Sequence, residues 1–182
     1  MPFDFEPLSI PGPVLVKART FPDGRGFFSE LYRTSLFNKA GISFDCLQIN
    51  HSRSSHGVLR GLHYQVKPKA QAKLVQVLAG EIFDVAVDIR RGSDSFGKWC
   101  GVRLSAESHS ALFIPQGFAH GFCVLSTSAD VIYCCSQEYS PEHERGIMWN
   151  DPAIAIDWPV ADPAISKRDL VWPTLHTAET DP

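Results

Sequence analysis

The chain has 182 residues and a formal net charge of -3, with 44% hydrophobic and 20% charged residues. That is enough length for one domain that buries its own core without staples. The near-neutral balance leaves no electrostatic footprint for nucleic acid or an anionic membrane, so an anionic ligand must be held by a local cluster of basic side chains.

No apolar run approaches the ~20 residues that span a bilayer. The start, Met1-Pro2-Phe3-Asp4-Phe5-Glu6, lacks the basic flank and apolar stretch of a secretory signal. Cys46, Cys100, Cys123, Cys134 and Cys135 are odd in number and show no C-x-x-C spacing, which reads as reduced thiols in a cytoplasmic protein.

Thirteen glycines and thirteen prolines cut the chain into many short apolar runs, the pattern of an all-β sandwich or barrel. Strands are expected at 14–18, 27–32, 46–51, 73–78, 81–89, 101–104, 111–114, 121–125 and 130–139. The clearest is 81–89, where Phe83, Val85, Val87 and Ile89 share one face and Asp84 and Asp88 the other, the period of a half-buried strand. Adjacent Cys134 and Cys135 should point to opposite faces of theirs.

Helix is scarce. Residues 34–40 suit one short helix capped by Thr34 or Ser35 and stopped at Gly41, and 140–145 could add one turn. The proline-rich tail after Trp158 should wrap the surface and fray after about Trp172. With no repeat and no internal boundary, residues 1–182 read as a single domain, and closure into a barrel or jelly roll would protect so many strands from exposed edges.

The chemical residues follow the same order. Asp23-Gly24-Arg25-Gly26 leads a glycine-flanked arginine into a strand, either a simple turn or an anion clamp. Gln48 and Asn50, two apart, share a strand face, as do Tyr133 and Tyr139 if their strand is regular. His63 lies in Arg60-Gly61-Leu62-His63-Tyr64-Gln65, and Arg60 and His63 would face opposite ways without a kink or bulge near Gly61.

Pro115-Gln116-Gly117-Phe118-Ala119-His120 has the P-x-G-x-x-H shape of the second cupin motif. A cupin metal site would also need an H-x-H pair with a nearby acid, and Gln65 stands where the second histidine belongs. Two imidazoles at most are too few for a transition metal. The expectation is therefore a barrel with no metal, working through acid, base and hydrogen-bonding side chains. An imidazole titrates near neutrality, at ~6.5, which suits proton transfer. Glu142, Glu144 and Arg145 read as a solvated turn, and Asp169 does not stand out.

Eight runs carry a closer resemblance, in order from about residue 5 to 170. They are Asp23 to Phe28, Asn50 to Ser54, Gly57 to Gln65, Gln71 to Val75, Phe83 to Asp88, Ile114 to Phe122, Ser140 to Gly146 and Trp149 to Pro152. Together they resemble the dTDP-4-dehydrorhamnose 3,5-epimerase family. The resemblance implies a cofactor-free cupin-type jelly roll with short peripheral helices, working as a homodimer that exchanges its N-terminal strand. Its substrate would be a dTDP-linked 4-keto-6-deoxyhexose.

It further implies that His63 is the general base, that Asp169 holds and polarises it, that Tyr133 is the acid on the opposite ring face, and that Lys73 stabilises the enolate oxygen. Arg25, Phe28, Glu30, Gln48, Asn50, Arg60, His120, Tyr139, Glu144 and Arg168 match positions that contact the nucleotide sugar or order the site. Departures from the family pattern are Ala72, Gln76, Cys134 and Arg168, which bear on substrate preference. The alternatives are an epimerase acting at one carbon only and a sugar-nucleotide-binding cupin without turnover.

Overall fold

The computed structural model describes residues 1–180. The chain runs β1 (Phe3–Pro7), β2 (Val14–Ala18), β3 (Thr20–Asp23), β4 (Gly26–Ser29), helix α1 (Thr34–Lys39), β5 (Gln48–Ser55), β6 (Val58–Gln65), β7 (Lys73–Ala79) and β8 (Glu81–Asp88). It continues through β9 (Trp99–Ser105), β10 (Ser110–Ile114), β11 (Phe118–Val124), β12 (Ser128–Cys135), β13 (Glu144–Gly146), β14 (Ala164–Ile165) and a 3-10 turn at Asp169–Val171. The expected all-β class holds, as do most of the expected strands.

One six-stranded sheet runs β1-β2-β10-β7-β12-β5; the facing sheet runs β13-β6-β11-β8-β9, with β14 added parallel to β6. The β3–β4 hairpin joins neither. Between the sheets pack Val75, Leu104, Leu112, Ile114, Phe122 and Val124. Both outer faces are covered as well. Phe37 of α1 joins Phe3, Phe44 and Phe113 on the first sheet, and Ile147, Ile154, Leu175 and Ala178 cover Val85, Val87 and Ile89 on the second.

That second cover corrects the reading of 81–89. The period of two is right, but both faces are buried: Asp84 and Asp88 are 0% exposed. An aspartate there must find partners. Asp88 accepts hydrogen bonds from Arg90, Ser93 and Ser95. Burial alone would push its carboxyl up, and the Arg90 guanidinium and the two hydroxyls overcome this and hold it at about 2.

The folded-state pKa lies below the ordinary 3.8, so the stabilisation is fully present above about pH 4 and is lost as pH falls toward about 2. It corresponds to roughly 2 kcal/mol. An Asp88→Asn variant is expected to lose about that much stability at pH 7 in a urea titration and to lose less than the parent between pH 4 and 2.

Three local expectations are corrected. Helix α1 has Arg33 at its N-cap with no side-chain cap, in place of Thr34 or Ser35; its anchor is tertiary, the fully buried Phe37 ring against Phe3, Phe5 and Tyr32. Strand β12 stops at Cys135 rather than 139, because side-chain amides then take over: Tyr139 N–H donates to Gln48 Oε1 and Ser140 N–H to Gln65 Oε1.

Residues 173–180 are packed rather than frayed, and the rest of the expected frayed tail lies outside the described residues. Leu175 and Ala178 are 3% exposed, Leu175 N–H donates to buried Asp151, and the Tyr64 hydroxyl donates to the Glu179 carbonyl. β1 pairs with β2 of its own chain over five residues. Among the described residues no helix is long and apolar enough to cross a membrane.

Candidate active site

Inward-facing residues of the two sheets line a cavity of about 700 Å³. Across the first sheet the register aligns Gln48, Cys135 and Lys73 in one row and Asn50, Tyr133 and Val75 in the next. Across the second it aligns Gly146, His63, His120 and Ala86. Five adjacent strand pairs therefore bring polar groups from distant parts of the sequence into one chamber, as alternation dictates.

The expected irregularity near Gly61 is present. The β6–β11 register shifts between His120 and Phe122, and Gly61 has φ +130. A Cβ there would lie 2.5 Å from the Gly121 Cα, so only glycine allows this approach. The shift lets both Arg60 and His63 line the cavity, which a regular strand would forbid.

His63 Nε2 is 2.7 Å from Asp169 Oδ1. With the carboxylate accepting, Nε2 carries the proton and Nδ1 keeps the lone pair, the form a base requires. Asp169 is 3% exposed and also accepts from the Gly61 N–H and the Trp172 indole. Burial would raise its pKa, but these bonds, led by that to His63, keep the carboxyl below the usual range. Trp172 seats edge-on to His63 at 6.2 Å, and a Cβ on Gly146 would lie 2.5 Å from its ring, so glycine opens the space for the indole.

Lys73 is buried, and its Nζ reaches the His63 carbonyl at 3.5 Å. Burial pushes its pKa down, opposed by Cys135, Asp84 and Glu144. Burial likewise pushes the Tyr133 phenol up, with Arg60 opposing, so it stays protonated and able to donate at neutral pH. His120 lies on Asp84 Oδ1 at 2.7 Å, and burial keeps its imidazole below the ordinary pKa.

At the mouth, Arg168 forks onto both oxygens of Glu144 at 2.6 and 2.9 Å, and the Tyr139 hydroxyl donates to the same carboxylate. The fork needs a guanidinium; a lysine would give a single point contact. Glu144, expected on a solvated turn, is thus part of the cavity wall. Gln48 donates to Asn50, Asn50 to the Cys135 sulfur, and Arg60 Nε to Ser54.

Arg25, Phe28 and Glu30 are not brought to this chain's own cavity. They lie on or just after the β3–β4 hairpin, where the Arg25 side chain is 91% exposed and pairs with Asp23, Phe28 is 63% exposed, and Glu30 pairs with Arg33. Residue reading missed Asp84, Gln65, Cys135 and Trp172 as parts of the site. Asp84 alone carried a signal, a charge within an apolar alternating strand. Among the described residues no three His, Cys, Asp or Glu side chains gather as a metal ion would need.

Residues 7–177 match the family described as dTDP-4-dehydrorhamnose 3,5-epimerase. The chain belongs to this family. It is 54% identical to the dTDP-4-dehydrorhamnose 3,5-epimerase of Pseudomonas aeruginosa over 164 residues, 89% of this chain and 90% of the relative. A Legionella pneumophila dTDP-6-deoxy-D-glucose-3,5-epimerase, solved with dTDP-4-keto-L-rhamnose, superposes with a TM-score of 0.93 at 45% identity, covering 96% of this chain and 94% of that one.

A 3'-monoepimerase of Streptomyces bikiniensis, solved with dTDP-quinovose, superposes with a TM-score of 0.89 at 37% identity, covering 94% and 88%. The cupin-type jelly roll of this epimerase family is therefore the fold of the chain.

Proposed function

We propose that the protein is a cofactor-independent isomerase that inverts C3 and C5 of dTDP-4-dehydro-6-deoxy-D-glucose to give dTDP-4-dehydro-L-rhamnose. The observation that carries this is the placement of His63, already oriented by Asp169, in one cavity with Lys73 and Tyr133.

His63 Nδ1 takes the proton from the carbon beside the C4 ketone. The C–H electron pair becomes the enolate double bond, and the carbonyl electrons move to oxygen. The Lys73 ammonium faces that oxygen, where one well-placed donor lowers the barrier by ~3 kcal/mol. Tyr133 returns a proton from the opposite ring face, the enolate collapses to the ketone, and the carbon is inverted. His63 then releases its proton to solvent and Tyr133 regains one, and the same cycle at the second carbon completes the reaction. Gln48, Asn50, Arg60, His120, Tyr139, Glu144 and Arg168 hold the sugar nucleotide, with Arg60 and Arg168, the two arginines among the lining residues, serving its diphosphate.

The active form is a homodimer. Support comes from the hairpin: Phe21, Phe27 and Phe28 are 47%, 62% and 63% exposed, more aromatic surface than a lone hairpin leaves to water. Arg25 on the same hairpin then completes the cavity of the other copy together with Phe28 and Glu30. Exchange of β1 would re-form the β1–β2 register between chains. A cytoplasmic setting suits the five free thiols.

Incubation with dTDP-4-keto-6-deoxyglucose in deuterated water tests the reading. Deuterium at both C3 and C5, together with the L-configured product, is expected. The likeness to a 3'-monoepimerase favours a second reading, inversion at one carbon, and label at C3 alone would decide for it.

A further inference from the structure

Asp84 of β8 is fully buried beside His120, which lines the cavity. Its Oδ1 faces His120 Nε2, and its Oδ2 is buried with no hydrogen-bond partner among the described residues. A carboxylate oxygen left this way is costly unless positive charge lies close by. Lys73, which lines that cavity, has the matching deficit: it is buried, and its ammonium makes a long hydrogen bond to one carbonyl.

We infer that Asp84 is the counter-charge of Lys73, a positioning residue that keeps the amine an ammonium in the enclosed cavity and, through His120, fixes which imidazole nitrogen meets the substrate. The inference rests on the epimerase reading of Lys73 and adds to it how the oxyanion partner stays charged.

The groups around the amine support the assignment. Burial drives Lys73 toward the neutral form, while Cys135 from β12, Asp84 from β8 and Glu144 from β13 draw it back; the cavity also holds His63 and Arg60 from β6, His120 from β11, Tyr133 from β12, and Tyr139, Arg168 and Asp169 from the segments that close it. Glu144 is already forked by Arg168 and bonded by Tyr139. Asp84 is the carboxylate not yet committed to a cation. With Asp84 accepting from His120 Nε2–H, Nδ1 offers its lone pair to a sugar hydroxyl.

The test compares the parent with Asp84→Asn, which keeps size and an acceptor for His120 but carries no charge, and with Asp84→Glu, which restores the charge. In protein labelled with 15N-lysine, the Lys73 Nζ titration is followed by NMR alongside the pH profile of kcat/KM. In Asp84→Asn the titration and the alkaline limb of the profile are expected to move together to lower pH by about one unit or more, with dTDP affinity unchanged, and Asp84→Glu should move both back.

An unmoved Lys73 titration, or a rate that drops equally at every pH, overturns the inference. If Asp84→Asn does not fold, the parent alone decides: the Asp84 carboxyl 13C signal must respond at the pH where Lys73 titrates, and no response overturns it. Failure of the parent to exchange substrate protons with solvent would instead remove the epimerase reading, leaving the Nζ titration to judge the counter-charge by itself.

Discussion

Replacing His63 by alanine is expected to cut turnover by about 10²–10⁴-fold, the usual contribution of a positioned general base, and to abolish solvent deuterium incorporation at both carbons. No neighbouring group can substitute. His120, opposite His63 on β11, is the other imidazole in the chamber, but its Nε2 is committed to Asp84 and burial keeps its pKa below the ordinary value, which makes it the weaker base. Affinity for dTDP should stay near the parent's, since the nucleotide does not depend on the base.

The variant should also be less stable. Asp169 loses its shortest hydrogen bond, at 2.7 Å, and keeps the longer ones from Gly61 and Trp172. A buried acceptor deprived of a partner costs ~1–3 kcal/mol, read as a lower urea midpoint. Full exchange in the folded variant would remove His63 from the reaction.

Lys73→Met keeps the length and apolar stem of the side chain and deletes the charge. Turnover is expected to fall by about 10²–10³-fold, the loss seen when one oxyanion donor is removed, with little change in dTDP binding, because the ammonium is called upon only as charge builds on the C4 oxygen. Stability should fall, since the change removes the charge that offsets the buried Asp84 carboxylate, whose Oδ2 has no hydrogen-bond partner among the described residues. A loss of activity caused only by weaker substrate binding, visible as a raised KM with kcat intact, would contradict the oxyanion role.

The fold was legible wherever alternation and turn chemistry speak locally. Strands at 14–18, 73–78 and 81–89 emerge within a residue or two of their observed ends, because a sheet imposes its period directly on sequence. What stayed hidden depends on what covers a face. Nothing near residue 84 announces that residues 147–178 will close over the outer side of β8, and only that cover turns a half-buried strand into one that drives Asp84 inward.

The site divides the same way. His63 and His120 belong to recognisable runs, and Gln48 and Asn50 follow from parity. Asp169 came from family likeness, since a carboxylate 106 residues from its imidazole partner has no local signature, and Trp172 was missed for the same reason. Arg25 and Phe28 were placed by likeness as well, and within one chain they point away from the chamber.

The partner of the base sits 106 residues beyond it in sequence, pinned by Trp172 and by contacts that run on to Glu179. Local opening of that segment would leave the β6–β11 and β7–β12 ladders paired while withdrawing the carboxylate that sets the imidazole. Proton transfer would then fail well before the barrel comes apart.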